Sequence, residues 1–182
     1  EDVARAINLQ PDRRQQAYDA MERLVKADGW REARDAKKEL AAVGKHALRL
    51  VVRNAKRHDD EQVRMYCHEI IIENFGDDPD NFETIAHDGL RDESAAVRYH
   101  CACHSGDLKI YGAHRRLRRL MEDPKQDDHT RNAAAKSLAQ LGEPDVIVEL
   151  VKGMASDHYM PRYMANIGAK ALTGKDLNDF ND

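Results

Sequence analysis

The sequence predicts an all-α protein, an α-solenoid (α–α superhelix) of about four stacked helix pairs plus flanking helices. Three observations predict it. Strand signals are nearly absent, because Val and Ile do not alternate with polar residues for long and only 5 Pro and 10 Gly occur in 182 residues. Amphipathic helical stripes run through most of the chain. Two independent marks also keep one period. Helices end near Gly44, Gly76, Gly112, Gly142 and Gly174, at spacings of 32, 36, 30 and 32. An arginine behind a small or apolar residue opens a helix at Arg64, Arg98, Arg131 and Arg162, at spacings of 34, 33 and 31. One helix pair of about 30 residues cannot bury its apolar stripe alone, whereas stacked pairs bury a continuous core.

The elements follow in order as one domain over 1–182. Residues 11–28 read as a flanking helix through Ala17, Met21, Leu24 and Val25. The first unit, 30–58, is degenerate, since Arg34 and Lys37 stand where a core stripe wants small apolar side chains. Trp30 at its start reads as a packing anchor between the first helices. Its second helix carries Leu48, Val51, Val52 and Ala55. Unit 59–91 starts at Asp59-Asp60-Glu61, and its second helix after Gly76 carries Phe82, Ile85, Ala86 and Leu90. Unit 92–126 follows Asp92-Glu93-Ser94, with a first helix reaching towards Gly112 and a weaker stripe of Leu117, Leu120 and Met121. Unit 127–156 follows Asp127-Asp128 and places Val146, Ile147, Leu150, Val151 and Met154 on its second helix. Unit 157–174 is incomplete, and 175–182 is a tail. The acidic and hydroxyl residues ahead of each arginine suit the free N–H groups and positive dipole of a helix start.

The stretch Asp127-Asp128-His129-Thr130-Arg131-Asn132-Ala133-Ala134-Ala135-Lys136-Ser137-Leu138-Ala139-Gln140-Leu141-Gly142-Glu143-Pro144 resembles a HEAT repeat of the bacterial, PBS-lyase-like type. The resemblance extends from about Trp30 to Gly174. It implies a right-handed superhelix whose arginine-opening helices line the concave face. It also implies that Arg64, Arg98, Arg131 and Arg162 form a structural ladder of hydrogen bonds along one edge.

Charge narrows the partners. Net charge is −4, from 29 Lys and Arg against 33 Asp and Glu. By segment, residues 1–58 hold 14 cations and 9 anions, 59–93 hold 2 and 12, 94–122 hold 6 and 2, and 123–182 hold 7 and 10. The sign alternates, so the basic runs at Lys45, Arg49, Arg53, Lys56, Arg57 and at His114–Arg119 are expected to pair with acidic neighbours. That pattern, with low aromatic content, argues against a nucleic-acid track. The longest aliphatic run, Ile70-Ile71-Ile72, is far too short to span a membrane. Three cysteines suit a reducing compartment, and a cytoplasmic location is expected.

The most enzyme-like cluster is Cys67-His68-Glu69 with His100-Cys101-Ala102-Cys103-His104. Zinc or iron could use such groups. However, Cys67 and Cys101 occupy the register of Ala134 and Ala165, a small core position where free Cys acts as a hydrophobe. A HEAT-repeat deoxyhypusine hydroxylase holds di-iron through repeated His-Glu pairs, and here only His68-Glu69 exists. The matching positions are Ala102-Cys103, Ala135-Lys136 and Asn166-Ile167. No metal, cofactor, catalytic residue or small-molecule substrate is therefore expected, and the chain reads as no enzyme.

The leading function is a non-catalytic interaction scaffold that binds a protein partner on its concave face. The alternative is a nucleic-acid-binding or DNA-glycosylase-like HEAT protein using the basic helices around 45–57 and 114–119. Rotating 100° per residue from each arginine puts the core at −1, +3, +6, +7 and +10, and the opposite face at +1, +5 and +8. Position +1 is Met65, Tyr99, Asn132 and Tyr163; +5 is Glu69, Cys103, Lys136 and Ile167; +8 is Ile72, Gly106, Ala139 and Lys170. A solvated face would be charged there, yet much of it is apolar or aromatic. The predicted partner-binding residues are Met65, His68, Glu69, Ile72, Tyr99, Asn132, Lys136 and Tyr163, with Tyr99 the central anchor.

Overall fold

The computed structural model describes residues 12–76, 78, 81 and 84–175. Pro11 of the flanking helix, Phe82 of the second unit and residues 176–182 of the tail lie outside the described residues. The chain divides into two compact units, Glu1–Phe75 and Gly76–Asp182.

The first unit contains α1 (Arg13–Lys26), α2 (Trp30–Val43), α3 (Lys45–Arg57) and α4 (Glu61–Phe75). Asp12 starts α1 by accepting the Arg14 amide at 2.9 Å. Gly44 is the whole connection between α2 and α3, and its φ of 69° is a left-handed value that favours glycine. α1 packs on α2 and on α3, while α4 packs on α3 and α2. Two layers result, α2 with α4 and α1 with α3. Between them Leu24, Leu40, Val51, Ile70 and Ile71 are fully buried, each contributing about 1.5–3 kcal/mol of transfer free energy.

The second unit contains α5 (Ala95–Ser105), α6 (His114–Glu122), α7 (Asp128–Gln140), α8 (Ile147–Met154) and α9 (Tyr159–Thr173). Short turns precede three of them: Thr84–Asp88 (π) and Gly89–Arg91 (3₁₀), Tyr111–Ala113 (3₁₀), and Pro144–Val146 (3₁₀). α7 packs against α5 and α9 within one layer and against α6 and α8 of the other. Neighbours on so many sides explain why Ala133, Ala134 and Ala135 are all fully buried. Gly168 of α9 serves the same closeness, since a Cβ there would lie 2.7 Å from Leu150 Cδ2 and 3.1 Å from Lys136 Cα.

The acidic turns act much as expected. Asp60 accepts the Gln62 amide at 2.8 Å, Asp92 the Ser94 amide at 2.8 Å, and Asp127 the Thr130 amide at 2.9 Å. At the fourth turn Ser156, not Asp157, accepts the His158 amide at 3.2 Å.

The structure corrects several expectations. The helix from Arg98 stops at Ser105 instead of reaching Gly112, because Gly106 lies against α7. Its amide donates to Ser137 Oγ at 3.1 Å, and a Cβ would lie 2.7 Å from Ser137 Cα. After Gly76 no second α-helix is seen among the described residues; Ile85, Ala86 and Leu90 are buried from the π and 3₁₀ turns instead. On α8 and the turn before it only Val146, Leu150 and Gly153 face inward, leaving Ile147 and Val151 exposed. Trp30 is 63% exposed, with the Arg31 and Arg34 guanidinium groups over its ring at 5.4 and 5.1 Å, so it is not an anchor between helices.

Candidate protein-contact surface

The recurring arginines hold the loops that precede their helices. Arg64 Nη1 donates to the carbonyls of His58 (2.7 Å) and Asp59 (3.0 Å), and Arg98 Nη1 to those of Asp92 (2.7 Å) and Glu93 (2.8 Å). Arg162 Nη1 likewise donates to the Ser156 carbonyl at 2.7 Å. Arg98 Nε also reaches Gln126 Oε1 at 2.9 Å, ahead of the next first-layer helix. Arg131 departs from the pattern, donating to the Met121 carbonyl at 3.0 Å and to Glu149 at 3.5 Å. A guanidinium suits this task because its planar fork donates to two carbonyls at once.

With the loops fixed, the N-terminal ends of α5, α7 and α9 bring aromatic rings into one row. The Tyr99 and His129 rings meet edge to face at 6.3 Å, and His129 and His158 lie 6.0 Å apart. Beyond them Tyr159 and Tyr163 stack at 5.8 Å, 66% and 44% exposed. His129 and His158 are exposed as well. Tyr99 is half-buried; burial, then its hydrogen bond with Cys103 and the nearby Asp127, push its phenol above the ordinary range.

The predicted site residues divide sharply. In the first unit Met65 is half-buried, and Glu69 is tied to Lys37 Nζ at 2.5 Å. His68 and Ile72 are buried, so neither belongs to an exposed floor. In the second unit Tyr99, Asn132 and Tyr163 reach the surface, whereas Lys136 is only 4% exposed. In the second unit the correction has one physical cause. A first-layer helix packed against its neighbours within the layer buries a wider arc than one amphipathic stripe, so +5 and +8 largely turn inward. Cys103, Gly106 and Ala139 are buried for the same reason. The periodic marks hold no sign of His129, His158 and Tyr159, which stand ahead of the arginines at helix starts.

No group of three His, Cys, Asp or Glu side chains able to hold a metal occurs among the described residues. Cys67, Cys101 and Cys103 are free and buried, and burial pushes the Cys67 thiol up to about 12 and Cys103 to about 11. Such thiols are poor nucleophiles at neutral pH. A cleft of about 220 Å³ beside Asn132 is lined by Asp128, Arg131, Glu149, Lys152, Gly153 and Ser156. It is smaller than ordinary ligand sites, and its charges pair with one another.

Paired helices in two layers, their first members opened by a loop-binding arginine, define an all-α repeat protein of the α-solenoid class. Residues 84–168 match the family model for HEAT repeats, which supports a HEAT-repeat reading of that part of the chain. No curated protein matches it. HEAT repeats generally act as protein-interaction scaffolds. No helix among the described residues is long and apolar enough to cross a membrane.

Proposed function

We propose that this chain is a non-catalytic, cytoplasmic interaction module that binds a protein partner through the aromatic row of its second unit. The observation that carries the reading is the set Tyr99, His129, His158, Tyr159 and Tyr163, which places a half-buried ring on α5 and exposed rings at the starts of α7 and α9. Tyr combines apolar area with a polar tip at low entropic cost, which makes it a frequent anchor at interfaces. The weight shifts from Tyr99 to Tyr159 and Tyr163, because Tyr99 is half-buried and its hydroxyl is engaged with Cys103. Buried, weakly nucleophilic thiols support a binding role over a catalytic one.

The test is affinity capture from the native source with two baits, the wild-type chain and Tyr159→Ala/Tyr163→Ala. A partner held by the first and released by the second supports the reading. An identical captured set with both baits contradicts it.

A further inference from the structure

A second surface lies in the first unit, in the trough between α1 and α3, and it is carried by charge that finds no partner among the described residues. Lys45, Arg49, Arg53 and Arg57 fall at successive four-residue steps, so they form one stripe along α3 about 18 Å long. No carboxylate occurs between Glu39 and Asp59. Like charges at that spacing destabilise a helix. Lys45 also stands in the first turn, at the wrong end of the helix dipole.

Neighbour ion pairing is the expected remedy, and on α6 it is present. There Arg118 binds both oxygens of Asp145 at 2.9 Å and Glu143 at 3.1 Å. On α3 it is absent. Among the described residues the side chains of Lys45, Arg49, Arg53 and Arg57 make no hydrogen bond or ion pair, and neither does the side chain of Arg14 facing them from α1.

The stripe borders two adjoining cavities that share Tyr18, Leu50 and Arg53, of about 620 and 480 Å³. Their lining adds Met21 and Val25 of α1, with Tyr18 57% exposed. The carboxylates there are Glu22, already held by Lys26 at 2.5 Å, and Asp59 at the far end. A row of cations thus flanks an apolar floor.

We propose that this trough binds an acidic amphipathic helix of a protein partner, its carboxylates at four-residue spacing meeting the α3 stripe and its apolar residues entering against Tyr18, Met21, Val25 and Leu50. Charge complementarity selects an anion. The apolar floor and single aromatic ring select a polypeptide over nucleic acid, whose binding needs phosphate contacts and stacking platforms rather than aliphatic contact. The surface shares no residue with the aromatic row of the second unit, so either can fail while the other stands.

The experiment uses the full chain and a labelled synthetic helix of roughly 16 residues, with Glu at every fourth position and Leu beside it. Fluorescence anisotropy should show saturable binding that weakens at least about tenfold from low salt to physiological salt. Arg49→Glu/Arg53→Glu should lower affinity by at least about tenfold, and Val25→Asp should also weaken it. The melting temperature of the double reversal should stay level or rise, because the repulsive stripe is removed. No binding, binding unchanged by the reversals, or tighter binding of a single-stranded or duplex oligonucleotide than of the peptide would overturn the proposal. A double reversal that melts markedly lower would also overturn it, since the stripe would then be structural.

Discussion

Lys136 and Asp107 tie the middle helix of the second unit to the turn that ends α5. Lys136 Nζ donates to both Asp107 carboxylate oxygens at 2.8 Å and to the Cys103 carbonyl at 2.8 Å. Gln140 Nε2 donates to the same carboxylate at 2.8 Å. Burial alone would raise the Asp107 pKa, but hydrogen bonds from His104, Lys136 and Gln140 outweigh it and hold the group well below the usual range. The contact joins one repeat to the next.

Removing this tie should destabilise the fold without exposing a new reactive group. Lys136→Met is expected to cost about 1–3 kcal/mol in chemical denaturation, less than a fully buried pair because water reaches Asp107. The Asp107 contribution is full above the unfolded carboxylate value of about 3.9 and is lost as pH falls below it, because the folded pKa is the lower one. The stability gap between wild type and Asp107→Asn should therefore narrow as acid is added. A gap constant from neutrality into acid would contradict the assignment.

Two glycines in the second unit should respond in opposite directions. Gly106→Ala puts a Cβ 2.7 Å from Ser137 Cα and 2.9 Å from its carbonyl oxygen, both backbone atoms that cannot swing away. The expected loss is about 1–3 kcal/mol. A Cβ added at Gly112 would meet nothing within 4 Å, and the φ there is not positive. Gly112→Ala should therefore be neutral or gain about 0.4–1 kcal/mol. Paired thermal melts decide this, and equal losses would refute the packing argument.

The arginine that opens each helix should not be replaceable by lysine. Arg98 satisfies two loop carbonyls and Gln126 at once, a geometry one ammonium cannot copy. Arg98→Lys and Arg98→Ala should both lower stability, by about 1–3 kcal/mol, with lysine recovering only part. Full recovery by lysine would show that charge alone matters.

The period, the acidic turns and the arginine register follow from local rules of capping and amphipathicity, so they are legible in the sequence without a structure. The end of α5 is not, because Gly106 acts through Ser137, a residue 31 positions away. The site is legible only at +1, where Tyr99, Asn132 and Tyr163 do reach the surface. A helical wheel misplaces His68 and Lys136, because burial on the flanks of a helix depends on neighbours that a single wheel does not contain. The stripe of α3 is visible as a charge run, but its lack of partners emerges only in the folded arrangement.

The cysteines offer an independent check of burial. All three thiols are enclosed, and burial holds each above its ordinary value. A thiol-disulfide exchange reagent at neutral pH should label none rapidly in the native protein and all three after denaturation. Fast labelling of Cys101 in the native state would contradict the packing of α5.

Partner binding through the first-layer helix starts of the second unit is decided by amide hydrogen exchange. The chain is compared free and saturated with the partner captured by the wild-type bait. New protection is expected at residues 128–132 and 158–163, with α6 and α8 unchanged. Protection confined to 114–122 and 147–154, with the aromatic row still exchanging as in the free protein, would place the partner on the other layer and rule this surface out.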